Sequence, residues 1–425
     1  MSTSGDWLTY HGSNSKDGYD TTLPGVSSLS LGWKSTVDGD VYAEPVSFDG
    51  SIFIVTENDT VYSLSASSGA VQWSQHVATP ANSTVAPYTC DGGSPTITPL
   101  IGITSTPVID PSTSTLYVVA LDAGVQFTLF AINTNNGQIR WSSPVDASGF
   151  AFLHEEQRGA LTLANGMIYI PFGSYSWNCG SPTGWLFAVS ANGNGTQYSF
   201  QVDTQSEGDI WTPEGISVDA SGYVYAVTGN SYYNATYNYA DSVLKFTPQL
   251  KLVSYFAPTN WAFIGPADLD QDTTGATLLP NNMLFSIGKS GVGFLLNESN
   301  LGGIGGQVFT ANVCSAGAWG STTYANGIVY IPCANGLYAV SLNSDDTQFS
   351  ALWNSGNMFA GPAIVAGGAV WSVDVANGTL FLFNPTSGAE IASMALGPVE
   401  HFTTPSIGGG YVIIAGMGTV YAIKG

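Results

Sequence analysis

The chain is short of charge, and above all of positive charge. Of its 425 residues only eight are Lys or Arg, against thirty Asp and Glu, a formal charge of −22. Nucleic-acid binding needs a basic footprint, so that class of function is excluded. Charged residues of both signs make up 9% of the chain, well below the usual quarter. Ser, Thr, Asn, Gln and Tyr must therefore build the polar surface. Below about pH 4 most carboxylates are neutral. The chain would then hold at most twelve positive charges, eight on Lys and Arg and four on His. Most proteins would carry far more and repel themselves. This composition points to an acidic exterior; an ordinary secreted β protein rich in Ser, Thr and Gly is the plainer reading. Long apolar runs are also missing, so no membrane span is expected. The opening Met1–Gly5 reads as the start left after a signal peptide. Sequons at Asn58, Asn82, Asn194, Asn234, Asn297 and Asn377 support export only weakly.

Cysteine is scarce. The four residues, Cys90, Cys179, Cys314 and Cys333, include no adjacent pair and no Cys-x-x-Cys, which argues against a zinc site or a thioredoxin-like motif. Cys314 and Cys333 flank a strand, and Cys90 and Cys179 lie in two long loops that should share a face. The pairings expected are Cys314–Cys333 and Cys90–Cys179, with four buried thiols as the alternative.

What the chain has is repetition. A Pro or small residue, an apolar strand, a Gly turn, a second apolar strand, aromatic-Ala-apolar and often Gly-x-x-x-Trp recur eight times. The pattern reads EPVSFDGSIFIVTENDTVYSLSASSGAVQW from Glu44 and recurs from Ser105, Arg158, Thr212, Asp268, Gly320, Gly361 and Thr404. A period of roughly 40 to 50 residues with about four strands per unit is the signature of a propeller. The last copy stops one strand short, and LSLGWKST near Trp33 supplies the missing strand. The expectation is an all-β, eight-bladed propeller of four-stranded antiparallel blades spanning 1–425, closed by an N-terminal strand near 29–36, which leaves the ring no open edges.

In such a ring the first strand of each blade lines a central channel. The long loops 78–103, 146–156, 173–184, 203–211 and 229–241 map to one face of it, and function concentrates in long loops on a rigid scaffold. The scarce charges fall there too. Arg158 opens a blade with His154, Glu155 and Glu156 just before it. Glu214 follows Trp211, Asp268 and Asp270 lie in GPADLDQD, Lys289 follows a second strand, and His401 precedes the eighth blade. These residues suggest a site that holds an anion beside a carboxylate. Each also has a structural reading. Arg158 would clasp Glu155, Glu156 or Glu214, Lys289 would pair structurally, Asp268 or Asp270 would cap a turn, and His401 would pack as an aromatic. Trp73, Trp141 and Trp353 end blades at equivalent places and read as inter-blade packing. Trp211, Trp261 and Trp319 lie nearer the channel face and are the better ligand candidates, with core packing as the plainer reading. Asp17 and Asp20 read as surface turn residues.

The segments DWLTYHGSNSKDGY, GITSTPVIDPSTSTLYVV, QRGALTLANGMIYIPFGS, GWLFAVSA, YADSVLKFTPQL and GKSGVGFLLNESNLGG resemble the quinoprotein-like, PQQ-repeat eight-bladed propellers. A fold-level resemblance does not choose among the family's activities. Its quinone-dependent alcohol dehydrogenases bind PQQ with calcium through a Glu, an Asn and an Asp, place an adjacent Cys–Cys disulfide over the ring and a Trp beneath it. This chain has no adjacent cysteines, so neither PQQ nor calcium is expected, and no metal site. A second branch consists of scaffolds like the outer-membrane assembly lipoprotein. A third is the tetrathionate hydrolases of acidophilic sulfur oxidisers, which are exported, dimeric, free of quinone and dependent on an acidic residue. The low charge density fits the third branch best. The resemblance then implies a small anionic substrate, with Arg158, Lys289 and His154 on the sulfonates. Asp268 or Asp270 would be the catalytic carboxylate, Asp268 first because it should open a channel-lining strand, with Asp209 and Glu214 as fallbacks.

Overall fold

The repeat folds as strands because its apolar residues are mostly β-branched or aromatic, come in short runs, and are broken by Gly, Asn and Asp at the turns. In the computed structural model, which describes residues 5–84, 97–152, 154–174, 182–204, 207–231 and 235–425, eight four-stranded antiparallel blades form a ring. The first blade runs outward from the channel through Val46–Phe48, Ser51–Val55, Thr60–Ser65 and Val71–His76. The last takes Ser406–Gly408, Tyr411–Gly416 and Thr419–Lys424 from the end of the chain and Ser30–Thr36 from its start, the latter antiparallel to Thr419–Lys424. The expected closing strand is thus found. Blade four gains an outer strand the repeat did not foretell, Gly303–Ile304, parallel to Leu252–Ala257. Among the described residues no helix is long and apolar enough to cross a membrane.

Second strands are sandwiched between neighbouring blades, and Thr115–Leu121 is buried at every position. Outer strands such as Val71–His76 show one face to water and alternate between exposed and half-buried. The Gly-x-x-x-Trp element locks blade to blade. A Cβ on Gly69, Gly137, Gly193 or Gly388 would lie 2.4, 2.7, 2.9 or 2.5 Å from the ring of Trp33, Trp73, Trp141 or Trp353, each on the preceding blade. All four glycines have φ near +70°, so the turn and the close approach both select Gly. The indole N–H groups of Trp33, Trp73 and Trp353 donate to Ala66, Thr134 and Pro385 carbonyls on the neighbouring blade, at 2.8, 2.9 and 2.8 Å. The packing role expected of these tryptophans is the one they have.

The Cys314–Cys333 disulfide is present. Cys333 ends the second strand of its blade, Ile328–Cys333, so the bridge encloses more than the first strand. Cys90 and Cys179 lie outside the described residues.

Innermost strands face the channel with an unpaired edge, whose N–H groups need partners. Residues 7–20 supply them, one blade after another. Trp7 exchanges backbone hydrogen bonds with Ser47 (3.0 and 2.8 Å), and the Leu8 carbonyl accepts from Ile109 N–H (2.9 Å). The Thr9 hydroxyl and the Asn14 amide reach the carbonyls of Leu161 and Leu163. The carbonyls of Asn14, Ser15, Asp17 and Gly18 then accept from Val218, Leu278, Tyr324 and Val365, at 2.8 to 3.0 Å. This strap visits blades one to seven in order before Ser30–Thr36 joins the eighth. It also fills the channel. Tyr10, His11 and Lys16 are almost wholly buried. His11 N–H donates to Glu44 (3.1 Å), Tyr10 Oη lies 3.2 Å from Thr404 Oγ1, and Lys16 Nζ donates to Thr162 (3.2 Å). Asp17 and Asp20 are turn residues as expected, accepting from nearby Ser and Thr hydroxyls.

Candidate active site

On the long-loop face, over the filled channel, lies a cavity of about 570 Å³. All five expected loops reach its wall, through Ile97, Glu156, Ser174, Glu207 with Asp209, and Gly229 with Asn230. Tyr42, Arg158, Trp211, Asp268, Asp270, Lys289, Glu400, His401 and Phe402 complete it.

Two cations face the cavity, each resting on aromatic rings. Arg158 is buried, with its guanidinium 5.4 Å from the Phe402 ring centroid and 6.0 Å from that of Tyr42. It donates a hydrogen bond to the Tyr42 carbonyl at 3.4 Å, and among the described residues no carboxylate lies within ion-pair distance of it. The structural clasp to Glu155, Glu156 or Glu214 is therefore not formed as an ion pair, and an anion can be met by this group. Lys289 lies 5.3 Å from the Trp319 ring and pairs with Asp268 at 2.8 Å and, more closely, with Asp270. Burial opposes the Lys289 charge, but Asp270 and Asp268 outweigh it and hold the ammonium above its usual range. Asp270 is itself held up by burial, although Lys289 pulls it down. The two shifts oppose each other in what they favour for the pair. The close contact and the lysine's full set of donors favour the ion pair near neutrality.

Asp268 and Asp270 do not open the inner strand, contrary to the expected repeat boundary. Asp268 has φ +55° and a largely exposed carboxylate at the rim. A short 3-10 turn, Gln271–Thr273, follows Asp270, and the strand begins only at Ala276. The left-handed conformation at Asp268 turns the chain away from an extended path. Asp270 also accepts from Asn230 N–H at 3.2 Å, part of the turn-bonding role considered for it.

Acids dominate the rest of the wall. Burial, and then the like charges of Asp209, Asp270 and Asp268, push Glu207 to about 8. Burial pushes Asp209 to about 6 against a hydrogen bond from the Ser174 hydroxyl, and Glu156 to about 7 against Arg158. Glu400 is raised by burial and Asp40. His401 is depressed to about 4 by burial and then by Arg158. It stacks on Phe402 at 4.2 Å and lies 5.7 Å from Trp319, so the packing reading describes its neutral ring. Well below pH 6 Glu156, Asp209 and Glu207 are neutral while Arg158 and Lys289 stay charged. The cavity then becomes an anion site with proton donors in its wall.

The expected residues therefore divide. Arg158, Trp211, Asp268, Asp270, Lys289 and His401 share the cavity wall. Trp319 backs the wall behind Lys289 and His401. Glu214 is buried away from the cavity, accepting from Gly275 N–H (3.1 Å) and the Ser321 hydroxyl (2.8 Å). Lys16 faces it, and burial still pushes it to about 7. His154 is off the wall, with a buried Nδ1 that lacks a hydrogen-bond partner. Glu156, grouped with Arg158 in the sequence, joins the wall, whereas Tyr42, Ser174, Glu207, Asn230, Glu400 and Phe402 are not singled out by the sequence reading. A signal existed for Glu400, which precedes its blade much as Glu156 precedes the third.

The family model described as outer membrane protein assembly factor BamB matches residues 27–238. Solved propellers align over nearly the whole chain. The quinohemoprotein alcohol dehydrogenase from Comamonas testosteroni is 15% identical with a TM-score of 0.74, covering 99% of this chain and 80% of that one. The chain is a PQQ-like eight-bladed β-propeller. A europium-containing methanol dehydrogenase is 12% identical with a TM-score of 0.75, over 99% and 98% of the two chains. BamB from Moraxella catarrhalis is 12% identical with a TM-score of 0.62, over 93% and 100%. At such identities the likeness shows the fold alone. No curated protein sequence matches the propeller.

The dehydrogenase branch implies a quinone and calcium, and the wall tests that fit. Trp211 and Asn230 are there, as are two aspartates. Yet Lys289 takes both Asp268 and Asp270, and the Asn230 amide donates to Asp268 at 3.2 Å. Among the described residues no group of three His, Cys, Asp or Glu is arranged to hold a metal, and the chain has no adjacent cysteines to cover a quinone ring. Lys289 thus already meets the two aspartates that a calcium ion would need.

Proposed function

We propose that this propeller is an exported, quinone-independent hydrolase of tetrathionate or a related polythionate, working at acid pH. The observation that carries this reading is the pairing of two cations, Arg158 and Lys289, with a wall of acids that stay protonated well above the usual carboxylate range. A dianion with an apolar disulfane centre needs separated cations and apolar walls. Arg158 and Lys289 would take the sulfonates, and Trp211 and Phe402 would flank the sulfurs. Asp270, paired with Lys289, would receive a proton from the attacking water. Asp268, at the rim, would hold Lys289 in place. As pH rises, Asp209 and then Glu156 ionise, and their charge repels the substrate.

The test is incubation with tetrathionate at about pH 3, below free carboxylate pKa values, with no quinone added. Saturable release of thiosulfate and sulfate that fades toward neutral pH is expected. Asp270→Asn should lower turnover by about 10²- to 10⁴-fold, the usual contribution of a proton-transfer group, while the protein stays folded. The match to the assembly-factor model supports a second reading, a propeller that binds a partner and turns nothing over. Absence of release from folded protein across pH 2 to 7 would select it.

A further inference from the structure

The crossing from blade three to blade four carries a residue that nothing in the repeat requires. Glu207 has φ +67°, a left-handed conformation that costs a long side chain energy and that Gly would adopt freely. Both blades hold it there. Its N–H donates to Pro182 (2.6 Å), its carbonyl accepts from Gly184 N–H (3.3 Å), and the next N–H, of Gly208, donates to Asn230 (2.6 Å). The Thr204 hydroxyl also donates to the Glu207 carbonyl (2.6 Å). Strain maintained by the surroundings in this way clusters at functional sites. The strained backbone delivers a carboxyl group into the cavity wall. Glu207 is 5% exposed, and its Oε2 is buried without a hydrogen-bond partner. A buried carboxyl oxygen without a donor calls for an explanation, and here it faces a cavity that could take a substrate.

We propose that Glu207 is the proton donor of this site, acting on the sulfur that leaves when the substrate is split. This rests on the hydrolase reading. Water forms a bond to one sulfonate sulfur, and the bond from that sulfur to the disulfane breaks. The electron pair goes to the leaving sulfur, which takes the Glu207 proton, while the water's proton goes to Asp270. One tetrathionate and one water thus give hydrogen sulfate and a disulfane monosulfonate, which sheds elemental sulfur to become thiosulfate. No oxidant or reductant is needed, and solvent returns the proton from Asp270 to Glu207. Environment separates the two acids. Lys289, in direct contact, draws Asp270 down against the burial that raises it, whereas burial and the charges of Asp209, Asp270 and Asp268 keep Glu207 protonated to about 8, with Lys289 only the smallest opposing charge. Asp241 faces the same cluster. Two carboxyls driven apart in this way are the pattern of an acid–base pair.

The test measures kcat and KM for tetrathionate from pH 3 to 9 in the wild type, Glu207→Gln and Glu207→Asp. In the wild type, KM should rise between about pH 6 and 7 as Asp209 and Glu156 ionise, and kcat should fall only near pH 8. Glu207→Gln should lose about 10²-fold or more of kcat, with KM little changed and the limb near pH 8 gone. Glu207→Asp should restore part of the rate. Full kcat in Glu207→Gln overturns the proposal and leaves the hydrolase standing. No turnover by the wild type at any pH overturns the hydrolase reading and the proposal with it. If Glu207→Gln does not fold, the wild-type profile decides, because a kcat flat through pH 9 removes Glu207 as the donor.

Discussion

Glu57 offers a direct test of how this chain is fitted to acid. It is 4% exposed. Its Oε2 accepts from Gly102 N–H (2.7 Å) and the Thr104 hydroxyl (3.1 Å), and its Oε1 is buried with no partner. Burial outweighs those hydrogen bonds and pushes the carboxyl from 4.5 to about 8. The folded chain therefore keeps a proton that the unfolded chain has already released above pH 4.5. Stability is fully present below that pH and is lost as pH rises toward 8. The slope is about 1.4 kcal/mol per pH unit for one such group, so Glu57 costs on the order of 3 kcal/mol by pH 7. A chain of this length has an unfolding entropy of about 0.9 kcal/mol/K, and the loss amounts to about 4 °C in Tm. Asp59 and Glu155, pushed to about 8 and about 9, act in the same direction. His11 and His401, depressed to about 3 and about 4, oppose them by costing stability below pH 6.5. The acids outnumber the histidines. Calorimetry at pH 5, 6 and 7 should show Tm falling steadily as pH rises. Glu57→Gln should flatten that fall by about 3 °C and be more stable than the wild type at pH 7. A wild-type Tm that holds or rises from pH 5 to 7, or an unchanged slope in Glu57→Gln, would refute the reasoning.

Replacing Cys314 and Cys333 by Ala should cost about 3 kcal/mol in denaturant unfolding, since the bridge spans a sequence separation of 19; a loss under about 1 kcal/mol would mean that blade six is held by packing alone. Trp7→Ala, at the start of the strap, should cost about 3 to 5 kcal/mol. It should also speed hydrogen exchange at Ile109, Val218, Leu278 and Tyr324 together, because their N–H groups all bond to strap carbonyls. Faster exchange at Ile109 alone would show that the strap is not one cooperative unit.

The blades were legible in the sequence because each repeats one rule, alternating apolar residues and a Gly that must admit a Trp. The channel-facing charges could be found because charge is so rare here. Arg158, Asp268, Asp270, Lys289 and His401 stood out against a sparsely charged chain and share one cavity with Trp211. Glu207 and Asn230 did not stand out, since the loops that carry them obey no period and their place depends on crossings between blades. The strap was harder still. Lys16 and His11 look like surface residues in a polar stretch, yet both are buried, because the bonding is done by their backbone neighbours. Glu214 and His154 had the right spacing but the wrong depth, and spacing along a strand does not reveal how far below the mouth a side chain sits.

The strap also sets an order of events. Ser30–Thr36 pairs with Thr419–Lys424, so the earliest part of the chain reaches its final partner only after nearly all the rest exists. At ribosomal speeds of about 5 to 20 residues per second, that wait is roughly 20 to 80 seconds. Until then the innermost edges of the blades lack the carbonyls that will cover them, and pairings this distant in sequence form slowly. A chain interrupted in its last blade would present several uncovered strand edges at once. Such a chain is open to edge-to-edge association until the strand Thr419–Lys424 pairs with Ser30–Thr36.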